Sequence, residues 1–235
     1  MKLAKHDNPK GIYMLTNRLK VIMCLIMACC CGCYESVDLT LKTSEIGNAL
    51  SKSTPTVTSA KITIPLKLDC GQNKEKLTKS LLSFFEKLHE IQCEQNGVYV
   101  ATADVPVVLF NPKENQSGGL SFQVLSQKNR IVVMLRVNQE KLSLLNQKIK
   151  DEFSTGEFIR DDLNLSIYMT NNSNRTFELL TKGVYSDNKA ISDVTGQVTP
   201  FRYGEGKTIQ LSDVTLDNLL HKSDTPYALI GILLY

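Results

Sequence analysis

The 235 residues are 42% hydrophobic and 22% charged, a balance that suits a globular protein and excludes collagen-like, mostly disordered and multispan membrane chains. The formal charge is +3, but Lys2, Lys5, Lys10, Arg18 and Lys20 precede the first apolar run, against the single acid Asp7. The remainder of the chain is close to neutral, so the basic excess belongs to the leader and argues for no nucleic-acid partner.

Val21 to Ala28 is a short apolar core behind Arg18 and Lys20 and before a small residue, the order of an export signal. It is far shorter than the roughly 20 residues that a spanning helix needs. The leader is long, and Met14 offers a conventional shorter start beside Met1. Tyr34 to Leu41 alternates partly and predicts a strand. The polar stretch Lys52 to Ser59, with Pro55, reads as a loop or tether. Ile62, Ile64, Leu66 and Leu68 then share one face of a strand that Pro65 assigns to a sheet edge.

The apolar stripe Leu77, Leu81, Leu82, Phe84, Phe85, Leu88 and Ile91 predicts a helix over 74–91, with Asn73 as its N-cap and His89 upon it. Residues 97–110 read as a strand pair or one interrupted strand, and 111–119 as a flexible loop. Ser121 to Leu125 and Ile131 to Val137 predict a hairpin. Asn138 caps a second helix bearing Leu142, Leu145 and Ile149, ending near Lys150. Leu163 to Met169 and Thr176 to Tyr185 predict another antiparallel pair joined through 170–175. Asp213 opens a short third helix around Leu216, Leu219 and Leu220, and 227–235 form a last strand. Strands outnumber helices and are joined by short loops, which predicts an α+β fold, a largely antiparallel sheet with two or three packed helices.

Five of the seven cysteines crowd residues 24–33. Leu25-Ile26-Met27-Ala28-Cys29 has aliphatic residues and one small residue before a thiol, as a lipoprotein cleavage site requires: the thiol receives diacylglycerol, and the small neighbour lets the peptidase approach. Cys24, Cys30, Cys31 and Cys33 each lack part of that context. Cleavage before Cys29 leaves a signal peptide (1–28), a lipidated N-terminus and tether (29–60) and a globular body (61–235). The expected modification is covalent diacylglycerol and an N-acyl chain on Cys29, with no cofactor otherwise. Cys70 and Cys93 remain to pair in an oxidising compartment. A single helix over 74–91 is about 27 Å long, whereas bonded cysteines have Cα atoms within about 7 Å, so the bond demands a shorter helix or a chain that doubles back.

Little else in the chain carries chemistry. His6 is lost with the leader; His89 and His221 read as structural, the latter favourably placed at a helix end. His221, Ser223 and Asp224 spell a triad on paper, without a Gly-x-Ser-x-Gly elbow to expose the serine. Phe201 to Lys207 lacks the full phosphate-loop pattern and reads as a turn. Asp151-Glu152 and Asp161-Asp162 lack calcium-loop spacing and read as solvated acids, so no metal site and no catalytic residue is assigned.

Beyond the cleavage site, the opening from Cys33 through Tyr34-Glu35-Ser36-Val37-Asp38-Leu39-Thr40-Leu41 to Ile46 resembles the start of the prophage-borne lipoproteins of the YfjS/YafY type. The resemblance implies a lipid-anchored protein of the inner membrane facing the periplasm, with no assigned enzymatic activity. Cys30 rather than Asp follows Cys29, and by that sorting habit the outer membrane is the alternative. The expectation is a non-enzymatic envelope lipoprotein that meets the membrane through its anchor and an unidentified envelope protein through its body. Its alternatives are an envelope hydrolase and a phage-exclusion or structural lipoprotein.

Overall fold

Alternation shapes the first element: Val37, Leu39 and Leu41 turn into the core and Ser36, Asp38 and Thr40 turn away, making strand β1 (Ser36–Lys42). In the computed structural model the described residues are 35–51, 56–66, 70–94, 97–111, 118–153, 163–192, 194–222 and 226–233. Residues 34–235 form one compact unit.

Helix α1 (Thr43–Ser51) comes directly after β1 and buries Thr43, Ile46 and Ala49, one side at helical spacing. At its start the Glu45 carboxylate accepts the Lys42 backbone N–H at 2.8 Å, satisfying a donor that the helix leaves unpaired. Strand β2 (Thr56–Pro65) runs back antiparallel to β1. Thr56 to Ser59, expected in a tether, therefore belong to a strand. Nor is β2 an edge: it pairs with β1 on one side and with β4 (Val98–Leu109) on the other. Pro65 is tolerated because it is the last residue of the strand.

The helix expected over 74–91 is two elements. Helix α2 covers Cys70–Leu81 and strand β3 covers Leu88–Glu94. Phe84 and Phe85 turn inward between them, edge to face with centroids 5.0 Å apart. The reversal is held from outside, since Gly119 N donates to the Phe84 carbonyl at 2.8 Å. A Cβ on Gly119 would lie 2.3 Å from the Phe84 ring, so only glycine allows this approach.

Strands β5 (Leu120–Gln127) and β6 (Arg130–Val137) form the expected hairpin. Helix α3 (Gln139–Phe153) comes next, with the Asn138 Oδ1 accepting from Lys141 N at 3.1 Å and Leu142, Leu145, Ile149 and Phe153 buried. The remaining elements are β7 (Asn164–Thr170), β8 (Phe177–Thr181), β9 (Val184–Ser186), β10 (Lys189–Ile191), β11 (Gln197–Phe201), β12 (Gly206–Leu211), helix α4 (Asp213–Asp217) continuing as a π turn (Asn218–Lys222), and β13 (Tyr227–Leu233). Strands β7 and β8 do not pair as expected. The first lies parallel to β1 and antiparallel to β12, and the second lies between β11 and β13.

All thirteen strands join one sheet, ordered β10-β9-β12-β7-β1-β2-β4-β5-β6-β13-β8-β11, with β3 beside β4 off that path. Strands hold 52% and helices 27% of the described residues, and the sheet curls into a nearly closed barrel. This corrects the α+β expectation: the fold is mostly β, with four short helices. The physical reason is twofold. The longest expected helix stops at Leu81 and its last four residues belong to strand β3, and strands β8 to β12 are three to six residues long, too short for alternation to announce them. The apolar sides of β1, β2, β4, β5, β6, β7 and β12 and the inner stripes of α1, α2 and α3 make one contiguous core.

Candidate functional site

The expected lipidation site, Cys29, lies outside the described residues, but the place where the body takes up the chain is well defined. The Glu35 carbonyl accepts from Asn164 N at 3.0 Å, and β1 starts one residue later in register with β7, Ser36 opposite Asn164. Two neighbouring registers extend that line. Gln210 lies opposite Ser166 and Leu211 opposite Val184, so the strand ends next to Asn164 are those leading into Ser212 and out of Gly183. A hydrogen bond of 2.8 Å from Ser212 Oγ to the Gly183 carbonyl closes the line. The start of β1, the start of α4 and the start of β9 therefore share one rim of the sheet.

Cys70 and Cys93 are bonded to each other, with Cα atoms 5.7 Å apart. The requirement set by helix length is met because α2 stops at Leu81 and β3 runs back beside β4, bringing Cys93 opposite Tyr99. Cys70 is the first helical residue, so the bond ties the N-terminus of α2 to the end of β3.

His89 stands on β3 rather than on a helix. Its Nε2 contacts Asp104 Oδ1 of β4, and Lys87 Nζ approaches the other carboxylate oxygen at 3.6 Å. The chain bulges there, between Leu88 and Glu90, which lets His89 lean toward Asp104. His221 lies in the π turn with Nδ1 3.2 Å from Asp217 Oδ1. Each imidazole thus has its own carboxylate. Ser223 and Asp224 lie outside the described residues, as do Asp161 and Asp162. Asp151 and Glu152 are exposed at the end of α3, where Glu152 faces Lys76 of α2 at 4.0 Å. Among the described residues no group of three or more His, Cys, Asp or Glu is placed to hold a metal ion. Phe201 to Lys207 spans the end of β11, a turn and the start of β12. One exposed pair on α2 perturbs its own titration: the hydrogen bond and charge of Lys79, 2.8 Å away, hold the Glu75 carboxyl below its usual range and raise the Lys79 ammonium.

Two of the surface grooves are lined by described residues. One, about 420 Å³, lies between α3 and the π turn and is lined by Gln139, Ser143, Asn146, Gln147 and Lys150 with His221 at its side; its lining holds no carboxylate. The other, about 270 Å³, lies on the rim described above, between the β9–β10 hairpin, α4 and β13. Its walls are largely apolar: Val184, Tyr185, Ala190, Ile191, Val214 and Tyr227. Val214 is 66% and Tyr185 41% exposed. Inside it Thr215 Oγ1 and Ser212 Oγ both donate to the Gly183 carbonyl, at 2.5 and 2.8 Å, and Ser192 and Asn218 complete the polar part of the lining.

At the opposite end of β1 lies a buried polar centre that the sequence pattern does not announce. Asn171 is fully buried. Its Nδ2 donates to the carbonyls of Arg175 and Phe201, both at 2.8 Å, and its Oδ1 accepts from Thr43 Oγ1 at 3.2 Å and from Ser173 N and Oγ at 3.1 and 2.7 Å. Asn172 joins the same knot through Thr43 Oγ1 and Ser44 N. Residues 170–175 spell only a polar loop, and an asparagine that is buried there looks no different in sequence from one that is solvated.

Residues 35–232 match the model of a family described as a domain of unknown function, DUF7424. The chain belongs to that family. The DUF7424 match begins at the residue before β1 and ends within β13, so it takes in every described element of the sheet. No curated protein and no solved structure matches the chain.

Proposed function

We propose that this DUF7424 protein is an exported lipoprotein of the bacterial envelope, cleaved before Cys29, lipidated there, and acting through contacts of its body with an envelope neighbour rather than through turnover. The observation that carries this reading is the run Val21–Ala28 behind Arg18 and Lys20, followed by Cys29. The Cys70–Cys93 bond supports it, because such bonds persist in an oxidising periplasm and are rare where thiols are kept reduced. The resemblance of residues 33–46 to YfjS/YafY-type lipoproteins adds the finer assignment: prophage type, inner membrane, periplasmic face.

Lipid alone would give the body a function of position. Two or three acyl chains, at about 0.8 kcal/mol per buried CH₂, hold a protein firmly to a bilayer. Confinement to that thin layer raises the effective concentration of the body toward other membrane proteins. The body also lies close in: six residues lie between Cys29 and Ser36, and the seven Cα-to-Cα steps span no more than about 25 Å.

The test is metabolic labelling with a fatty-acid analogue of cells expressing the wild type and Cys29→Ala. The wild type takes up label and sediments with membranes; Cys29→Ala takes up none and is released. Equal labelling of the two would overturn the assignment.

A further inference from the structure

We infer that the apolar groove between the β9–β10 hairpin, α4 and β13 docks onto the bilayer that holds the lipid, with Val214 and Tyr185 entering the interfacial layer. The inference rests on lipidation of Cys29 and goes beyond it, because an anchor alone leaves the body free to tumble.

The length of chain between the lipid and the body sets the geometry. With at most about 25 Å between Cys29 and Ser36, the bilayer lies against the rim where β1 begins. The registers place on that rim Asn164, the β12 end that leads into Ser212, and the β9 end at Val184. From Ser36 to Gly183 is three strand spacings, about 14 Å. The groove opens on this rim and not on the other.

What the groove presents suits an interface. Val214 projects from the first turn of α4, 66% exposed, with Tyr185 and Ala190 in the same groove and Ile191 and Tyr227 also lining it. Tyrosine combines an apolar ring with a hydroxyl that stays hydrated, which is why it gathers at membrane surfaces. The Ser212 and Thr215 hydroxyls already donate to the Gly183 carbonyl, and Ser192 Oγ accepts from Val194 N, so these hydroxyls are engaged within the protein. Asp213 and Asp217 flank Val214, while Lys182 and Lys189 lie exposed on the hairpin side of the groove; this mix of signs fits zwitterionic headgroups.

The opposite rim serves as the internal control. Tyr203 is 69% exposed in the turn between β11 and β12. That turn sits where Gly206 lies opposite Thr170 and Thr170 opposite Lys42, at the far end of β1.

The chain contains no tryptophan, so a single introduced indole reports its own surroundings. Val214→Trp and Tyr203→Trp, both at exposed positions, are prepared as full-length lipidated protein and reconstituted into phosphatidylcholine vesicles with or without brominated acyl chains. The expected result is a blue-shifted emission from Val214→Trp that loses most of its intensity in brominated vesicles, while Tyr203→Trp emits as in water and is not quenched. Attachment to vesicles without quenching of Val214→Trp, or equal quenching of both, overturns the docking and leaves the anchor standing. Failure of the wild type to attach at all overturns the anchor and the docking with it.

Discussion

The two ends of strand β1 are held in opposite ways. Where it ends, Thr43, Asn171, Asn172 and Ser173 close a buried knot in which the Asn171 amide has five partners. Around its start, the Cys70–Cys93 bond ties α2 to β3, and Ser212 and Thr215 tie α4 to Gly183, while Val214 and Tyr185 stay open to solvent. The far end has satisfied its polar groups, and its exposed ring, Tyr203, stands in a turn rather than along a groove. The near end has satisfied its polar groups too, yet leaves apolar surface uncovered, and uncovered apolar surface is what a partner can use. The contrast separates residues that hold the fold from residues that are available to act.

The largest effect is expected at the far knot. Asn171→Ala removes both Nδ2 donors and the Oδ1 acceptor, taking these partners from the Phe201 carbonyl and the Ser173 N–H, while the Thr43 hydroxyl keeps Asn172 Oδ1 and the Arg175 carbonyl keeps Ser173 Oγ. Each buried group so orphaned costs about 1–3 kcal/mol, so a loss near 4 kcal/mol is expected, read as the shift in midpoint of a urea titration at unchanged slope. A loss below about 1 kcal/mol would mean that the knot is ornamental and that the two ends do not differ as argued. Next comes the bond on the other side. Replacing Cys70 and Cys93 together by serine releases a loop closed across a sequence separation of 23, worth about 3 kcal/mol in the loop-entropy account. Reduction of the wild type with a thiol should reproduce most of that shift. Unchanged stability in both experiments would show that the unfolded chain gains no freedom from the cut.

These effects also mark what the sequence could and could not announce. The β5–β6 hairpin and α3 are legible because their signals are local: alternation around Lys128-Asn129, then Asn138 bonding to Lys141 at the head of an apolar stripe. Strand β3 is not legible. Leu88 and Ile91 continue the helical stripe begun by Leu77 and Leu81, and only pairing with β4, across the turn packed on Gly119, makes them a strand. The closing of the sheet is invisible for a related reason, since β8 finds β13 about fifty residues away and no local pattern encodes that partner. The disulfide could be read only as a condition on helix length, which the early stop at Leu81 fulfils. The apolar groove draws Tyr185, Val214 and Tyr227 from three separate elements, and none of them stands out where it is written. Asp187 and Asn188, by contrast, shape the β9–β10 hairpin by accepting positive φ angles of 47° and 65°, a turn chemistry that sequence does carry.

The smallest expected effect sharpens the comparison most, because it falls on the near end without touching Val214 or Tyr185. Ser212 caps α4: its Oγ accepts from Thr215 N at 3.3 Å while donating to the Gly183 carbonyl. Ser212→Ala loses the cap, but Thr215 Oγ1 still donates to that carbonyl at 2.5 Å, so the cost should be about 1 kcal/mol, the usual value for a cap. Adding Thr215→Val strips Gly183 of its second donor, and the pair should then cost more than the two single changes together, because only the double variant leaves the buried carbonyl unpaired. Amide exchange should quicken in residues 213–222 and stay unchanged around Asn171. If exchange quickened equally at both ends, α4 would be part of the common framework rather than a locally held support for Val214. The division between a closed far end and an available near end would then fail.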